Sequence, residues 1–128
     1  MDTGAWFART VPSDANHLAI REWLRQNRQP LITTDFVIDE TLTLMRVRGE
    51  RQRAIALGQA FFDGGVARIY YLTERAVQDA WRTFSHHEDK TWSFTDCTSK
   101  VVMEKLQITQ ALSFDHHFRQ FGAASIVP

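Results

Sequence analysis

Short apolar runs alternate along this chain with longer segments in which apolar residues recur every three or four positions. The short runs are typical of buried strands, and the longer segments are typical of amphipathic helices. The pattern predicts strands at 31–33, 66–72 and 111–114, with a further strand candidate at 125–127. It predicts helices at 13–27, 35–49, 51–62, 73–85 and 93–106. This alternation favours an α/β fold with a mostly parallel sheet.

The helix predicted at 35–49 places two adjacent acidic residues on different faces. At about 100° per residue, Asp39 falls on a solvated arc, whereas Glu40 falls among apolar side chains. The solvated arc holds Asp35, Asp39, Thr43 and Arg46, and the apolar arc includes Phe36, Leu44 and Val47. A carboxylate on a buried face destabilises the fold unless it is paired or bound to a metal. Glu40 is therefore either the partner of an arginine at the edge of the core or a functional residue.

Three further acidic residues stand where a compact fold could direct them at the same place. Asp115 follows the predicted strand 111–114, and ligands of open α/β sheets bind beyond the carboxyl ends of strands. Asp96 lies in the first turn of its predicted helix, and Asp2 lies near the start of the chain. Each has an ordinary explanation: a turn or cap for Asp115, the helix dipole for Asp96 and a frayed terminus for Asp2. Converging carboxylates would need protons or a hard divalent cation such as Mg²⁺.

Composition narrows the classes of protein that the chain can belong to. It has 128 residues, 44% of them apolar, and 15 basic residues balance 15 acidic ones. We expect one domain with a substantial core and no overall basic field that would attract nucleic acid. No run approaches the roughly 20 apolar residues of a membrane span, and no leader peptide is recognisable. One cysteine excludes an internal disulfide and suits the cytoplasm, where we expect the protein to act.

Other residues of the chain suggest chemistry, but solvated or core positions explain them more simply. The pairs His86–His87 and His116–His117 lack the spacing of a zinc site, so they are interpreted as loop residues. Cys97 falls on an apolar helix position without an assigned base, which argues against a nucleophile. The segment 46–53 carries four arginines that are interpreted as solvated helix ends. The helix predicted at 13–27 is expected to bury Leu18, Ile20, Trp23 and Leu24.

Four motifs, taken in order, give the chain a family resemblance. They are DTGAW, TTDFVIDETLTL, SFTDCTS and ALSFDHHF, and together they resemble the PIN domain, with the greatest likeness to VapC-type toxins of toxin–antitoxin pairs. The resemblance implies a single PIN domain over 1–128, an α/β/α sandwich and a ribonuclease dependent on Mg²⁺ or Mn²⁺. It also implies an RNA substrate, a cognate antitoxin protein and a homodimer.

The resemblance assigns the acidic site to Asp2, Glu40, Asp96 and Asp115. Asp2 and Asp96 would be the main metal ligands, while Glu40 and Asp115 would hold the ion directly or through water. Thr3 and Ser99 would orient these ligands.

This chain departs from the family pattern at its start. Family members carry a short apolar strand before the first aspartate, so the first strand is expected to be truncated here to Met1. With so little chain before Asp2, we expect no strand ladder there and a mobile start. Gly4 stands where many members carry serine, so a polar group near the ligands is expected to be missing.

Two other functions stay open at this point. The first is a catalytically silent module that keeps the PIN fold and binds a partner, which would follow if the short first strand misplaced Asp2. The second is a nuclease that uses the same residues on single-stranded DNA. The position of Asp2 relative to the other three carboxylates bears directly on the first of these alternatives.

Overall fold

The computed structural model describes residues 1–121 and 125–128. In this part of the chain six helices and four short strands are present. The helices are α1 (Thr3–Thr10), α2 (His17–Gln26), α3 (Asp35–Val47), α4 (Arg51–Phe62), α5 (Glu74–His86) and α6 (Phe94–Lys105). The strands are β1 (Ile32–Thr34), β2 (Arg68–Tyr70), β3 (Gln110–Leu112) and β4 (Ser125–Val127), and a 3₁₀ helix spans His116–Phe121.

The strands form two parallel pairs, β1 with β2 and β3 with β4. Met1 and Asp2 lie between the pairs, because the amino group of Met1 donates to the carbonyl of Ile32 at 2.9 Å. On the other side, the backbone N–H of Asp2 donates to the carbonyl of Leu112 at 3.1 Å. The helices cover this parallel arrangement, and the predicted α/β/α class is confirmed.

The core consists of three groups of buried side chains that follow the helices. The first joins α1, α3 and α4, and at its centre the rings of Trp6 and Phe61 meet edge to face, 4.7 Å apart. The second joins α5, α6 and the 3₁₀ helix, and the third joins α1, α2 and β3. None of the helices in the described ranges has the length and apolar composition needed to span a membrane.

Most predicted elements are found, and their caps explain where they begin. Thr34 caps α3 and Thr73 caps α5, each by accepting a hydrogen bond from the third residue after it. α4 has the predicted bounds, whereas α2 begins at His17 and not at 13 because the segment before it forms turns. β2 and β3 are shorter than predicted, with three residues in each, whereas β1 begins one residue later than predicted and β4 has the predicted bounds.

One helix was missed from the sequence, and three expectations were wrong. α1 was not predicted, although Asp2 caps it and its apolar residues recur at helical spacing. Leu18 and Val47 are 78% and 77% exposed, since nothing in the described chain packs over these helix positions. Asp35 is not simply solvated, because its carboxylate accepts a hydrogen bond from the backbone N–H of Leu72 at 3.1 Å. The Met1 amino group and the Asp2 N–H each donate a hydrogen bond to the backbone of a strand, although the chain start was expected to be unpaired.

A cavity of about 310 Å³ lies beside Met1, bounded on two sides by residues 31–34 and 109–112. The two flanking strands are thus separated here by open space, although Met1 and Asp2 join them further along. Burial lowers the pKa of the Met1 amino group to about 6. This part of the sheet therefore contains an unfilled cavity and a buried amino group whose charge is poorly solvated.

Adding about three apolar residues upstream of Met1 is expected to raise the melting temperature. Their side chains would fill the cavity, and an uncharged amide would replace the buried amino group. The measurement is thermal unfolding in EDTA, compared with an extension of glycine and serine of equal length. If the apolar extension is no more stable than the Gly/Ser extension, the cavity does not accept a strand.

Candidate active site

The four carboxylates singled out in the sequence line one open cavity of about 420 Å³. The cavity lies beyond the carboxyl ends of β1 and β3: Glu40 is carried by α3, which follows β1, and Asp115 follows β3. α6 contributes Asp96, and the start of the chain contributes Asp2. Residues from four separate parts of the sequence thus meet at one place, which we call the carboxylate site.

Asp2 is held by hydrogen bonds to both of its carboxylate oxygens. Its Oδ1 accepts from the backbone N–H of Ala5 at 2.8 Å, which caps α1, and its Oδ2 accepts from the hydroxyl of Ser113. Burial nevertheless raises the pKa of Asp2 to about 6, and the charge of Asp115 adds to this rise. The hydrogen bonds and the Met1 amino group oppose the rise without overcoming it.

Asp96 occupies the first turn of α6 in a reciprocal capping arrangement. Its backbone N–H donates to the Ser93 hydroxyl, and its Oδ2 accepts from the backbone N–H of Ser93, both at 3.0 Å. Burial raises the pKa of Asp96, and the charges of Asp115 and Glu40 raise it further. The Oδ1 atom has no hydrogen-bond partner among the described residues, so this oxygen is available to a ligand.

Asp115 belongs to a polar network that reaches back to Asp2. Its backbone N–H donates to Ser113 Oγ at 2.9 Å, and the Ser113 hydroxyl in turn donates to Asp2. Asp115 Oδ1 accepts from the backbone N–H of His117 at 2.9 Å. The Nδ1 atom of His117 lies 3.3 Å from Asp115 Oδ1 and 3.8 Å from Asp96 Oδ2. Ser113 and His117 therefore connect three of the four carboxylates.

Glu40 and its neighbour Asp39 differ as the helical periodicity predicted. Glu40 is half-buried on the wall of the cavity, whereas Asp39 is exposed. Within residues 1–121 and 125–128, Glu40 forms no ion pair with an arginine or lysine. The first interpretation of this residue, a salt bridge at the edge of the core, is therefore not what the structure contains.

Thr3 and Ser99 also line the cavity and are 8% and 9% exposed. The buried Oγ1 of Thr3 has no hydrogen-bond partner in the part of the chain that the structure describes. Gly4 lines the cavity too, and a Cβ atom there would lie 3.9 Å from Asp2 Oδ1, which leaves room for the serine of other members.

Two residues of the network were missed or misjudged from the sequence. Ser113, 1% exposed, was treated only as a strand residue. His117 was interpreted as a loop histidine, but it lies between two carboxylates. The interpretation of Cys97 as a core residue agrees with its complete burial, which also raises the pKa of its thiol.

The composition of the carboxylate site fits a hard divalent cation. Of the described residues that line the cavity, none is a lysine or an arginine, so no permanent positive charge offsets the carboxylates. Asp96, Asp115 and His117 offer ligand atoms within 4.8 Å of one another. The oxygen-rich donor set and the unpartnered Thr3 hydroxyl suit Mg²⁺ or Mn²⁺ better than a soft metal.

Comparison with known proteins gives consistent likenesses. Residues 1–124 match the PIN domain family. The chain is 30% identical over 128 residues to the 23S rRNA-specific endonuclease VapC20 of Mycobacterium tuberculosis, covering 100% of this chain and 97% of the relative. It is 29% identical to a VapC ribonuclease of Archaeoglobus fulgidus, covering 92% of this chain and 77% of the relative.

A solved structure gives the same likeness in three dimensions. The crystal structure of Mycobacterium tuberculosis VapC20, described as a sarcin–ricin loop cleaving toxin, superposes with a TM-score of 0.91 at 29% identity. The match covers 99% of this chain and 97% of that chain.

Asp2→Asn is expected to stabilise the metal-free protein at pH 7.5. Because the pKa of Asp2 rises from 3.8 to about 6 on folding, its ionised form costs stability above pH 6. That cost disappears as the pH falls through 6 towards 3.8, and it is at most about 3 kcal/mol. Asparagine keeps the cap oxygen without the charge. Melting in EDTA should show a variant advantage at pH 7.5 that shrinks by pH 4; a gap independent of pH would contradict the buried charge.

Proposed function

The chain belongs to the PIN domain family and is a ribonuclease of the VapC type, and we propose that it cleaves the sarcin–ricin loop of 23S rRNA with Mg²⁺ or Mn²⁺ at the carboxylate site. The observation that carries this proposal is the convergence of Asp2, Glu40, Asp96 and Asp115 on one open cavity. The relatives supply the class of substrate, since VapC20 matches along the whole chain in sequence and in structure.

The carboxylates would divide their roles according to their surroundings. Asp2 and Asp96, the two groups whose pKa burial raises, would be the main ligands, because a cation relieves their unfavourable charge most. Glu40 and Asp115 would hold the ion directly or through water. The buried hydroxyl of Thr3 would orient a ligand or a ligand water, as Ser99 would from α6. When bound, the ion supplies an activated water and offsets the charge on the reacting phosphate.

The same site would determine where RNA binds. Bare carboxylates repel phosphate, so substrate and ion are expected to bind together. The cavity is open to solvent and bordered by Gly4 and His116, both exposed. We expect an unpaired RNA strand to enter it, because exposed loops are what sequence-specific RNA-binding proteins most often recognise. The cytoplasm is where such a substrate is found.

The silent-module alternative rested on a misplaced Asp2. Asp2 lies on the cavity wall and is held through backbone and side chain, so the geometry gives that alternative no particular support. No feature of the cavity favours single-stranded DNA over RNA, and the relatives favour RNA.

We further propose that the active form is a homodimer and that a cognate antitoxin protein binds it. Support for a second copy comes from α5, where Trp81 and Phe84 are 58% and 42% exposed and stack with ring centroids 6.0 Å apart. Phe84 also meets Phe94 edge to face, and Phe94 in turn lies against Phe36, which stands one turn before Glu40. Exposed aromatic surface of this kind is typical of a protein interface.

Asp96→Asn and Glu40→Gln are expected to reduce cleavage by at least ~100-fold, since each removes a charge from the metal site. In the first variant the amide oxygen of the new side chain can still accept the capping bond from the backbone N–H of Ser93, so the fold should persist. The assay uses a hairpin RNA with the sarcin–ricin loop sequence in Mg²⁺, Mn²⁺ and EDTA.

Asp39→Asn is the matched control, because it makes the same kind of change on the exposed face of α3 and should retain cleavage. A hairpin with a scrambled loop controls for substrate choice. Cleavage that survives EDTA would exclude the metal-dependent mechanism. If the Asp39 variant loses activity and the Glu40 variant retains it, then Asp39 and not Glu40 faces the carboxylate site.

Trp81→Glu is expected to convert a dimer into a monomer, because a carboxylate cannot be buried unpaired at an aromatic interface. Sedimentation velocity of the purified chain measures the change. Leu18→Glu, at an apolar position of α2 that is even more open to solvent, should remain dimeric. A monomeric wild type would contradict the proposed homodimer, and a dimer in the Trp81 variant would place the interface elsewhere.

A further inference from the structure

His117 lies between Asp96 and Asp115, which are two candidate metal ligands of the carboxylate site. Its Nδ1 atom lies 3.3 Å from Asp115 Oδ1 and 3.8 Å from Asp96 Oδ2. This nitrogen is buried, and among the described residues no hydrogen-bond acceptor satisfies it with good geometry. A nitrogen so close to two carboxylates needs a proton or a cation on the side that faces them.

The other ring nitrogen has a partner that is compatible with a proton on Nδ1. The hydroxyl of Thr91, in the loop before α6, lies 2.9 Å from His117 Nε2. When this hydroxyl donates to Nε2, a neutral imidazole carries its proton on Nδ1, facing Asp96 and Asp115. The opposite tautomer would direct a lone pair at two negative groups.

Each neighbouring carboxylate has one oxygen held by the protein and one oxygen free. Asp115 Oδ1 accepts from the backbone N–H of His117, and Asp96 Oδ2 accepts from the backbone N–H of Ser93. These same two oxygens are the ones nearest His117 Nδ1. In the described chain, Asp96 Oδ1 and Asp115 Oδ2 accept no hydrogen bond, which leaves them available to an ion.

We propose that His117 is a positioning residue of the carboxylate site. A proton on its Nδ1 would attract Asp115 Oδ1 and Asp96 Oδ2, which lie 3.3 and 3.8 Å away, so that Asp96 Oδ1 and Asp115 Oδ2 stay directed for metal binding. A neutral imidazole suits this task, because a lysine would compete with the metal as a permanent cation and an acid would add repulsion. The inference rests on the proposed function, since it assumes that Asp96 and Asp115 bind the ion.

The test compares three substitutions of His117 by calorimetric titration with Mn²⁺ alone. His117→Phe keeps a ring and removes both nitrogens, so it should weaken Mn²⁺ binding by about 10- to 100-fold, as loss of a group that orients a ligand commonly does. His117→Asn can place an amide N–H near the position of Nδ1 and should bind within about threefold of wild type. His117→Gln reaches the position of Nε2 instead and should resemble the Phe variant.

His86→Asn is the matched control, because His86 is exposed at the end of α5 and, among the described residues, forms a hydrogen bond only with the carbonyl of Arg82. Its Mn²⁺ affinity should equal that of wild type. Thermal unfolding in EDTA establishes that every variant is folded before its affinity is compared. Rescue by asparagine and not by glutamine is a pattern that a purely structural role for the ring would not produce.

Asp96→Asn, titrated in parallel, separates the two levels of inference. If this variant loses Mn²⁺ while His117→Phe binds like wild type, the positioning role is overturned and the proposed function stands. If His117→Asn binds as poorly as His117→Phe, the Nδ1–H donor role is likewise overturned. If wild type and Asp96→Asn bind Mn²⁺ equally or not at all, the metal site itself is wrong and both inferences fall.

Discussion

The rest of the structure depends on two backbone hydrogen bonds made at the start of the chain. The amino group of Met1 bonds to Ile32 of β1, and the N–H of Asp2 bonds to Leu112 of β3. They join two strand pairs that have no other ladder between them in the described chain. They also fix the backbone of Asp2 where the helices that follow β1 and β3 converge, so one constraint completes the sheet and locates a carboxylate of the site.

That constraint comes with an electrostatic cost. Four carboxylates share a cavity that no lysine or arginine lines in the described residues, and burial raises the pKa of Asp2 and Asp96. Removing partly buried charges from water is unfavourable whether or not they attract a ligand later. A bound cation would therefore lower the free energy of the folded protein, and this is the thermodynamic condition for metal affinity.

The sequence predicted those parts of the site that follow from local periodicity. Glu40 could be separated from Asp39 because a helix assigns each residue to a face, and the strand before Asp115 was readable in the same way. The connections between distant segments were not predictable. The hydroxyl of Ser113 meets Asp2 across 111 positions of sequence, and His117 meets Asp96 through a loop and a 3₁₀ helix. Periodicity also assumes a covering neighbour, which explains why Leu18 and Val47 were wrongly expected to be buried.

The places where these carboxylates stand explain how the metal-free chain tolerates them. Asp2 caps α1, Asp96 closes the first turn of α6, and Asp115 accepts an N–H from the 3₁₀ helix that follows it. Backbone N–H groups at such ends lack partners within the helix and carry partial positive charge, so they stabilise an anion locally. Asp2, Asp96 and Asp115 are thus each stabilised at the start of a helix, although their charges repel one another. An acidic side chain at these positions suits both a helix cap and a metal ligand. The ordinary structural explanation of each acid and its functional role therefore apply to the same side chain.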